Sequence, residues 1–402
     1  MKTLKMCAVL AFCAVFALVL PGCGSESDSS NSTRVLRFWH FWSEPGQRAA
    51  LTELVQEFEK AHNVRVELTE LSWNDGKTKL QAAFNSGKPP DVIELGSDWI
   101  AQFSSAGVLL ALPIDSLQNF ISYSIAPAMW EGRVYAYPWT LDTRVLWMNT
   151  KAPGIPSTMD DLLRFAEKAA ASGRYGWGAN GADAHRLYKK ILPFFWTYGG
   201  DVFNSSGKPV LNSSANVAAL ERYAALARTG FVETQRQLDA AFVQGKIAYW
   251  NSGSWLAKKL SSSTAVSAQP ILMPGLNGTP GISFAGGEYV AVSAAASNTQ
   301  LAREFVQFLT GGARALRFCN AVAEAGFPAD KRVFSDSSLT GNPIKEVFAK
   351  QLEHARMTPV HPRWLDIEAV IEDAVVRVLL GEATPQEALD RAQSEANDIV
   401  GG

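Results

Sequence analysis

The chain has 402 residues, of which 47% are hydrophobic and 19% are charged, so it is long and apolar enough to bury a sizeable core in more than one domain. Its formal net charge is -2 at pH 7, and no run of Lys and Arg exceeds two residues. Because binding to nucleic acid needs a basic surface, this composition excludes nucleic acid as a partner.

The N-terminal segment has the pattern of an export signal. Two lysines precede an apolar run over 6–20, which ends in the stretch LPGC at 20–23. A charged start, a short apolar core and a small-residue end predict a signal peptide over 1–22, since about 20 apolar residues are needed to span a bilayer. The end of the segment resembles a bacterial lipobox, in which Cys23 becomes the lipidated first residue. Ordinary secretory cleavage is the alternative, because Pro21 stands where a small residue is more usual.

A polar stretch follows the predicted signal. Residues 23–33 contain GSESDSSNST, which has five serines and no apolar residue and is typical of a flexible tether. Cys7 and Cys13 leave with the signal and Cys23 is the predicted anchor, so Cys319 is the cysteine that remains within the fold. No internal disulfide is therefore expected, and the protein is predicted to be extracytoplasmic and attached to the membrane through its lipid anchor only.

The first part of the mature chain alternates strands with helices. The predicted strands are 35–39, 64–68 and 91–95, and the predicted helices cover 51–58 and 79–84. Strands that alternate with single helices form a largely parallel sheet, and such sheets bind ligands beyond the carboxyl ends of the strands. The stretches 39–42 and 96–99 both occupy that position.

The chain changes character at 134–149, where VYAYPWTLDTRVLWMN predicts two extended runs separated at Pro138. Farther on, a capping pattern predicts helix starts at Thr158 and at Thr384. Apolar stripes predict further helices through 217–224 and 301–309, and further strands are expected at 247–250 and 288–293. The fold class predicted from these elements is α/β throughout.

The order of these segments resembles the extracellular solute-binding proteins that deliver carbohydrates to ABC importers, the group that includes maltose-binding protein. The resemblance covers nearly the whole mature chain and rests on FWHFW, KLQAAFNSGKPPDVIEL, EGRVYAYPWTLDTRVLWMN, STMDDLLRFAEK, AAFVQGKIAYWNSGSW, FAGGEYVAV and SNTQLAREFVQFLT. It implies a two-lobed, type II periplasmic-binding-protein-like fold with hinge strands and an interlobe ligand cleft. The N-lobe would comprise 34–141 and 281–327, and the C-lobe 142–280 and 328–402.

The same resemblance implies a function. The protein would be a monomer that captures a sugar or oligosaccharide by closure of its lobes and delivers it to an ABC permease, with no cofactor and no metal. A sugar presents flat patches of C–H groups and a rim of hydroxyls, so a site needs aromatic faces plus planar groups that bond hydroxyls bidentately. Polar groups left unpaired by a wrong ligand then provide the selectivity.

Several of the 12 tryptophans stand beside turn or polar residues, as a stacking site would require. With nearby acidic, basic and amide groups they give the candidate ligand-binding residues Trp42, Glu44, Trp73, Asp98, Trp139, Asp142, Arg144, Asn251, Trp255, Gly287, Glu288 and Trp364. The resemblance implies a stacking aromatic at Trp255 and a carboxylate at Asp98. A hinge ion pair is the alternative for Asp142 and Arg144, and core packing is the alternative for each tryptophan.

Two other functions fit parts of the pattern. A glycoside hydrolase would also use aromatic residues and paired carboxylates, but no pair of acids can be assigned from the sequence and no nucleophile or zinc motif is present. Relatives that take glycerophosphodiesters share the implied fold. A phosphate would need arginines or backbone N–H groups, and the acids at Asp142 and Glu288 favour a neutral ligand instead.

Overall fold

The computed structural model of the chain describes residues 34–73 and 75–401. The predicted signal peptide, the tether and the lipidation site at Cys23 lie outside the described residues. Within them, no helix is both long enough and apolar enough to cross a membrane.

The described residues form a mixed α/β fold. The strands are β1 (Arg34–His40), β2 (Val64–Glu70), β3 (Val92–Gly96), β4 (Met129–Trp130), β5 (Arg133–Val134), β6 (Ala136–Thr143), β7 (Val145–Asn149), β8 (Tyr175–Asn180), β9 (Phe231–Glu233), β10 (Ile247–Ser252), β11 (Ala268–Ile271), β12 (Ser283–Val292), β13 (Phe327–Pro328) and β14 (Ala355–Arg356). The helices are α1 (Pro45–His62), α2 (Gly76–Asn85), α3 (Ile100–Ser105), α4 (Met159–Ala171), α5 (Tyr188–Thr197), α6 (Ser214–Arg228), α7 (Gln235–Val243), α8 (Trp255–Ser261), α9 (Thr299–Thr310), α10 (Gly312–Ala321), α11 (Pro343–Leu352), α12 (Trp364–Leu379) and α13 (Pro385–Gly401). Short 3-10 helices cover Ile114–Asn119, Ser122–Ser124, Ala126–Ala128, Ala323–Ala325 and Lys331–Val333.

Two large sheets organise these elements. The first is seven-stranded, in the order β13-β6-β12-β3-β1-β2, with β14 added beside β12. The second is five-stranded, in the order β11-β7-β10-β8-β9. We call the layers packed on the first sheet the first lobe, and those packed on the second sheet the second lobe.

Strand direction in the first sheet agrees with the sequence only in part. β1 pairs in parallel with both β2 and β3, as the alternation of strands and helices predicts. The prediction of a largely parallel sheet is wrong for three of the other pairs, because β12 is antiparallel to β3 and to β6, and β13 is antiparallel to β6, although β14 is parallel to β12. β12 enters the first sheet from β11 of the second sheet and not through a crossover helix, so the rule that makes crossovers parallel does not set its direction. β13 follows β12 through α9 and α10 and runs in the same direction as β12, as that rule requires.

The chain passes between the sheets at strand ends. β6 belongs to the first sheet and β7 to the second, and Arg144 alone separates them. The two extended runs that the sequence predicts around Pro138 are β6 and β7, and Pro138 itself lies inside β6. It lies at a bulge, where the register between β6 and β12 shifts between Glu288 and Tyr289. A bulge tolerates proline because the missing N–H leaves no bond of a regular ladder unmade.

Local signals in the sequence correctly identify several helices. The buried residues of α1 are the predicted stripe of Leu51, Leu54, Val55 and Phe58. At the start of α13 the backbone N–H of Thr384 donates to Glu387 over 2.9 Å, and the Glu387 N–H donates to the Thr384 hydroxyl over 3.3 Å. At α4 only half of the expected box forms, because the Asp161 carboxylate accepts from Ser157 instead of Thr158.

Each lobe has its own apolar core. Phe38 and Phe41 are both buried in the first lobe. Cys319, the cysteine that the sequence leaves within the fold, is also buried there as a free thiol. Trp147, Trp177 and Trp196 are buried in the second lobe.

Candidate ligand-binding site

Side chains from the two lobes meet beyond the carboxyl end of β3. The Tyr188 hydroxyl, at the start of α5 in the second lobe, donates to Asp98 Oδ2 over 3.1 Å. Asp98 itself follows β3 of the first sheet. Near the strand crossing, the Ser254 backbone N–H donates to Asp142 Oδ2 over 3.3 Å. The edge of the first sheet that the sequence indicated is therefore covered by the second lobe, and we call the space between these contacts the cleft.

Trp255 and Arg144 form the aromatic part of the cleft. The Arg144 guanidinium lies 4.4 Å from the centroid of the Trp255 ring and 3.3 Å from Asp142 Oδ2. The side chains of Arg144 and Asp142 are 12% and 13% exposed, so this ion pair is largely shielded from water. Gly253 permits the ring position, because a Cβ there would lie 2.0 Å from a ring carbon of Trp255. Asp142 and Arg144 thus form the ion pair that the sequence left open, and they do so directly beside a partly exposed indole.

Acidic groups line the neighbouring strands. Glu288 on β12 lies opposite Thr140, with the Thr140 hydroxyl donating to Glu288 Oε2 over 3.4 Å. Burial raises the pKa of Glu288 to about 7, with Lys189 opposing the shift and Asp142 adding to it. Burial also raises the pKa of Asp142 to about 6, against the attraction of Arg144. Near neutral pH Glu288 can therefore donate to or accept from a hydroxyl group, whereas Asp142, paired with Arg144, accepts.

Gly287 lies where two strands are too close together for a side chain. A Cβ at this position would lie 2.3 Å from the Thr140 carbonyl oxygen and 2.9 Å from the Leu141 side chain. Its own carbonyl accepts the Ser97 N–H over 3.1 Å. The absent side chain therefore allows β12 and β6 to approach closely beside Glu288.

A second polar group lies around Asp98, and the sequence did not single out most of its members. The Lys77 ammonium lies 5.5 Å from the centroid of Trp99, and burial lowers its pKa to about 8 against the attraction of Asp98 and Glu368. Lys77 Nζ has no hydrogen-bond partner among the described residues. Across the cleft, Glu368 Oε1 lies 2.6 Å from His185 Nδ1, and burial raises the pKa of Glu368 to about 7. This group joins α2 and Asp98 of the first lobe to α12 of the second.

Trp73 is the most exposed of the predicted aromatic contacts, with 41% of its surface accessible. It stacks on Phe41 at a centroid distance of 4.0 Å and an interplanar angle of 17°. Its edge contacts Trp99 at 5.5 Å. Trp73 therefore extends the aromatic surface of the cleft outward from Asp98 and keeps part of its ring in contact with solvent.

Four predicted contact residues are buried within a lobe. Trp139 has no exposed surface, since it stacks on Phe318 at 4.6 Å and meets Trp42 edge-on at 6.1 Å. Trp42 is 6% exposed in the same cluster. Their packing partners belong to their own lobe, so opening of the cleft would not by itself expose the face that Trp139 turns to Phe318. Neither ring has a free stacking face in this structure, and contact of either with a ligand stays a prediction.

Trp364 and Asn251 are buried in the second lobe. Trp364 is 1% exposed at the start of α12 and packs edge-on against Tyr188 at 5.6 Å. Asn251 lies on β10 and is also 1% exposed. Its backbone carbonyl accepts a hydrogen bond from Nζ of the buried Lys190 over 2.7 Å. Both therefore support residues of the cleft from behind, and direct contact of either with a ligand stays a prediction.

Glu44 lies at the start of α1 and is exposed. Its backbone N–H donates to Gln47 Oε1 over 3.2 Å, and its carbonyl accepts from the Arg48 N–H over 2.8 Å. The structure thus places Glu44 in the N-cap of a helix, which explains its position without a ligand. A role in ligand binding stays a prediction.

The residues that sequence reasoning missed lie outside the helices and strands predicted from the sequence. Tyr188 lies in the run YKKILPFFW, whose apolar character indicates only a buried helix. Lys77 and Glu368 are single charged residues in helices, where solvent exposure is the usual expectation. Gly76, the first residue of α2 and directly before Lys77, is a weak signal that could have pointed to it. Among residues 34–73 and 75–401, no group of three or more His, Cys, Asp and Glu side chains is arranged to hold a metal ion.

Comparison with known proteins gives consistent results. The family model for the bacterial extracellular solute-binding proteins matches residues 42–312. A galactooligosaccharide-binding protein of Bacillus subtilis (strain 168) is 26% identical over 424 aligned residues, which cover 100% of this chain and 98% of the relative.

Solved structures resemble the chain along most of its length. The GacH receptor of Streptomyces glaucescens GLA.O, studied unliganded and with acarbose, has a TM-score of 0.82 at 22% identity and covers 92% of this chain and 99% of its own. A cyclo/maltodextrin-binding protein complexed with maltotetraose has a TM-score of 0.77 at 22% identity and covers 92% of this chain and 98% of its own. At such identities the likeness concerns the fold, and it confirms the predicted two-lobed α/β architecture.

Proposed function

Because the chain belongs to the family of bacterial extracellular solute-binding proteins, we propose that it captures a sugar or oligosaccharide in the cleft and presents it to a membrane permease. The observation that carries this proposal is the partly exposed Trp255 ring beside the shielded ion pair of Asp142 and Arg144, where two lobes meet. The sugar-binding relatives support the choice of ligand class.

The chemistry of the cleft suits a neutral ligand rich in hydroxyl groups. Trp255 and Trp73 offer ring faces for C–H patches, and Asp98, Glu288 and the acids near them offer carboxyl groups for hydroxyls. A ligand that contacts both lobes binds the closed form better, so it shifts an existing equilibrium towards closure. Closure also excludes water, which strengthens each polar contact.

The proposal includes the organisation of the chain. The N-lobe would comprise 34–141 and 281–327, and the C-lobe 142–280 and 328–402. The passage from the first sheet to the second at Arg144 and the return from β11 to β12 support the limits near 142 and 281, whereas β14, within 328–402, pairs with β12 of the first sheet. We further propose that Cys23 is lipidated after removal of 1–22, so that a monomeric receptor is held at the outer surface of a membrane.

Binding without cleavage is the activity we propose. A hydrolase would need one acid to protonate the glycosidic oxygen and a second at a defined distance. Here three of the cleft acids already have protein partners, since Asp142 pairs with Arg144, Asp98 with Tyr188 and Glu368 with His185. The same pairing of Arg144 makes a glycerophosphodiester a poorer ligand than a neutral sugar, because the guanidinium already contacts a carboxylate.

A thermal-shift screen tests the proposal. A ligand that binds only the folded state raises the melting temperature in proportion to the logarithm of its concentration. We expect at least one of maltotetraose, galactooligosaccharides or acarbose to raise it, and glycerophosphocholine to leave it unchanged. A shift with glycerophosphocholine alone, or release of monosaccharide on incubation with the oligosaccharides, would overturn the proposal.

A further inference from the structure

Asp239 is a buried carboxylate that accepts hydrogen bonds from several directions. It lies on α7, its side chain is 3% exposed, and it is not among the residues that the sequence indicated. Its Oδ1 accepts from Trp250 Nε1 over 2.9 Å, from Gln235 Nε2 over 2.9 Å and from Ser252 Oγ over 3.1 Å.

The other oxygen of Asp239 contacts the cleft side of the second lobe. Its Oδ2 accepts from Trp255 Nε1 over 2.9 Å and from Lys259 Nζ over 2.9 Å. Trp255 lies on α8 and Asp239 on α7, so this bond joins the two helices. Among the cleft aromatics of the described residues, Trp255 is the one whose indole N–H bonds to a buried carboxylate on another helix. Three donors thus bond to Oδ1 and two to Oδ2, so both oxygens of the carboxylate are occupied by protein donors.

Three constraints then fix the plane of the Trp255 ring. The bond to Asp239 holds its N–H edge, and the Arg144 guanidinium lies 4.4 Å from the centroid over one face. Gly253 borders the six-membered ring so closely that a Cβ would lie 2.0 Å away. These contacts prevent the indole from rotating. The part of its surface that they leave uncovered therefore has a fixed orientation relative to Asp142 and Arg144.

We propose that Asp239 is a positioning residue, which orients the Trp255 indole for stacking against a sugar without contacting the sugar itself. The proposal rests on the proposed function, because it assumes that Trp255 contacts the ligand. A ring that is already held in its bound orientation loses less conformational freedom when the ligand binds. Preorganisation of the ring therefore raises the affinity for the ligand. An amide would be a poor test of this role, because Trp255 and Lys259 both bond to Oδ2, and the amide oxygen could replace Oδ2 while the NH2 group replaced Oδ1. Alanine removes both acceptor oxygens.

The first test uses the ligand-free protein. In the 15N-labelled protein, the Trp255 indole N–H resonance is assigned as the one missing from Trp255→Phe. We expect Asp239→Ala to shift this resonance strongly or broaden it, because both acceptor oxygens have been removed. The matched control is Asp91→Ala, which removes an equally buried carboxylate of the first lobe, bonded to Arg37 and Ser297. An unchanged Trp255 resonance in folded Asp239→Ala would overturn the inference.

The second test is a double-mutant cycle measured by calorimetry with maltotetraose, galactooligosaccharides and acarbose. We expect Asp239→Ala to weaken binding about fivefold to tenfold in the wild-type background and less than twofold in the Trp255→Phe background. A phenylalanine has no N–H, so no bond from the ring to Asp239 remains to be lost. Equal weakening in both backgrounds would show that Asp239 acts only through the general stability of the second lobe, and would overturn its positioning role.

The two tests separate this inference from the proposed function. If none of the three saccharides bound the wild-type protein, or if Trp255→Phe and Trp255→Ala bound them as the wild type does, the proposed role of Trp255 would fail. The resonance of the ligand-free protein would still show whether Asp239 fixes the ring. The melting temperature of each variant confirms that the comparison is made between folded proteins.

Discussion

Two strand ends that look alike in the sequence behave differently in the structure. At the end of β1, an aromatic run reaches Trp42 and then turns at Pro45, and at the end of β10 a similar run reaches Trp250 and then Trp255. Trp42 is 6% exposed and packs edge-on to Phe318 at 5.0 Å, whereas Trp255 remains partly exposed and bonds through its N–H to Asp239.

The difference lies in what the rest of the fold offers each ring. α10 supplies an apolar side chain over Trp42, so that ring joins the core of the first lobe. α7 supplies a carboxylate beside Trp255. This carboxylate accepts a hydrogen bond from the N–H at the edge of the ring, so part of the indole stays uncovered. A tryptophan is thus retained in a cleft by a polar partner for its N–H, and it is drawn into a core by an apolar partner for its face.

Loss of a core ring should give the largest effect. Trp139→Ala removes a side chain with no exposed surface that stacks on Phe318, and we expect it to lower the free energy of unfolding by about 3–5 kcal/mol. Urea denaturation measures the change. Trp73→Ala is the matched control, because that ring is 41% exposed and should cost about 1 kcal/mol or less. Equal costs for the two variants would contradict the assignment of Trp139 to the core.

Loss of the cleft ring should act on binding instead. We expect Trp255→Ala to weaken the affinity for the saccharide found in the thermal-shift screen by about 2 kcal/mol, as truncation of an aromatic hot-spot residue does. Its melting temperature should change little, since the ring is only partly buried. Calorimetric titration gives the affinity, with Trp130→Ala in the β4–β5 ribbon as the control. An affinity equal to that of the control would remove Trp255 from the site.

These two rings also show how far the sequence could lead. Helices such as α1 and α13 follow from local signals, a four-residue apolar stripe in one and a reciprocal cap between Thr384 and Glu387 in the other. The antiparallel return of β12 does not follow, because the partner of a strand is chosen by distant parts of the chain. The family resemblance supplied the two-lobed arrangement that periodicity alone could not.

The aromatic contacts were the weakest predictions for a geometric reason. Neighbouring residues on a strand point to opposite faces, so the polar neighbour of Trp139, Thr140, says nothing about the surroundings of the ring. Trp255 stands after a turn at the start of α8, where that objection does not apply. Asp239 and Tyr188 carried no signal at all, since each lies on a helix whose pattern indicates only burial.

The acids of the cleft should leave a mark on the pH dependence of stability. The pKa of Glu288 in the folded protein is about 7, above its ordinary value of 4.5. Between these values the folded state keeps a proton that the unfolded state has released, so the free energy of unfolding falls as the pH rises through this window. We expect Glu288→Gln to make that slope less negative by up to about 1 kcal/mol per pH unit.

Urea denaturation at several pH values from 4.5 to 7.5 measures the slope, with Glu53→Gln on the exposed side of α1 as the control. A slope in Glu288→Gln that matches the control would show that Glu288 titrates as an exposed acid does. It would also weaken the contrast between Trp42 and Trp255, because the acids beside Trp255 would then lie in water.

The smallest expected effect concerns the contact between the lobes. Tyr188→Phe removes the hydroxyl that donates to Asp98 across the cleft, and one such bond contributes about 1 kcal/mol, or about a fivefold change in the equilibrium between closed and open forms. Tyr223→Phe is the matched control, because the Tyr223 hydroxyl donates to the Asn180 carbonyl over 2.8 Å within the second lobe. We expect small-angle scattering of the ligand-free protein to give a larger radius of gyration for Tyr188→Phe than for Tyr223→Phe. Since both variants lose one tyrosine hydroxyl from the same lobe, equal radii would mean that the bond to Asp98 does not help to hold the lobes together.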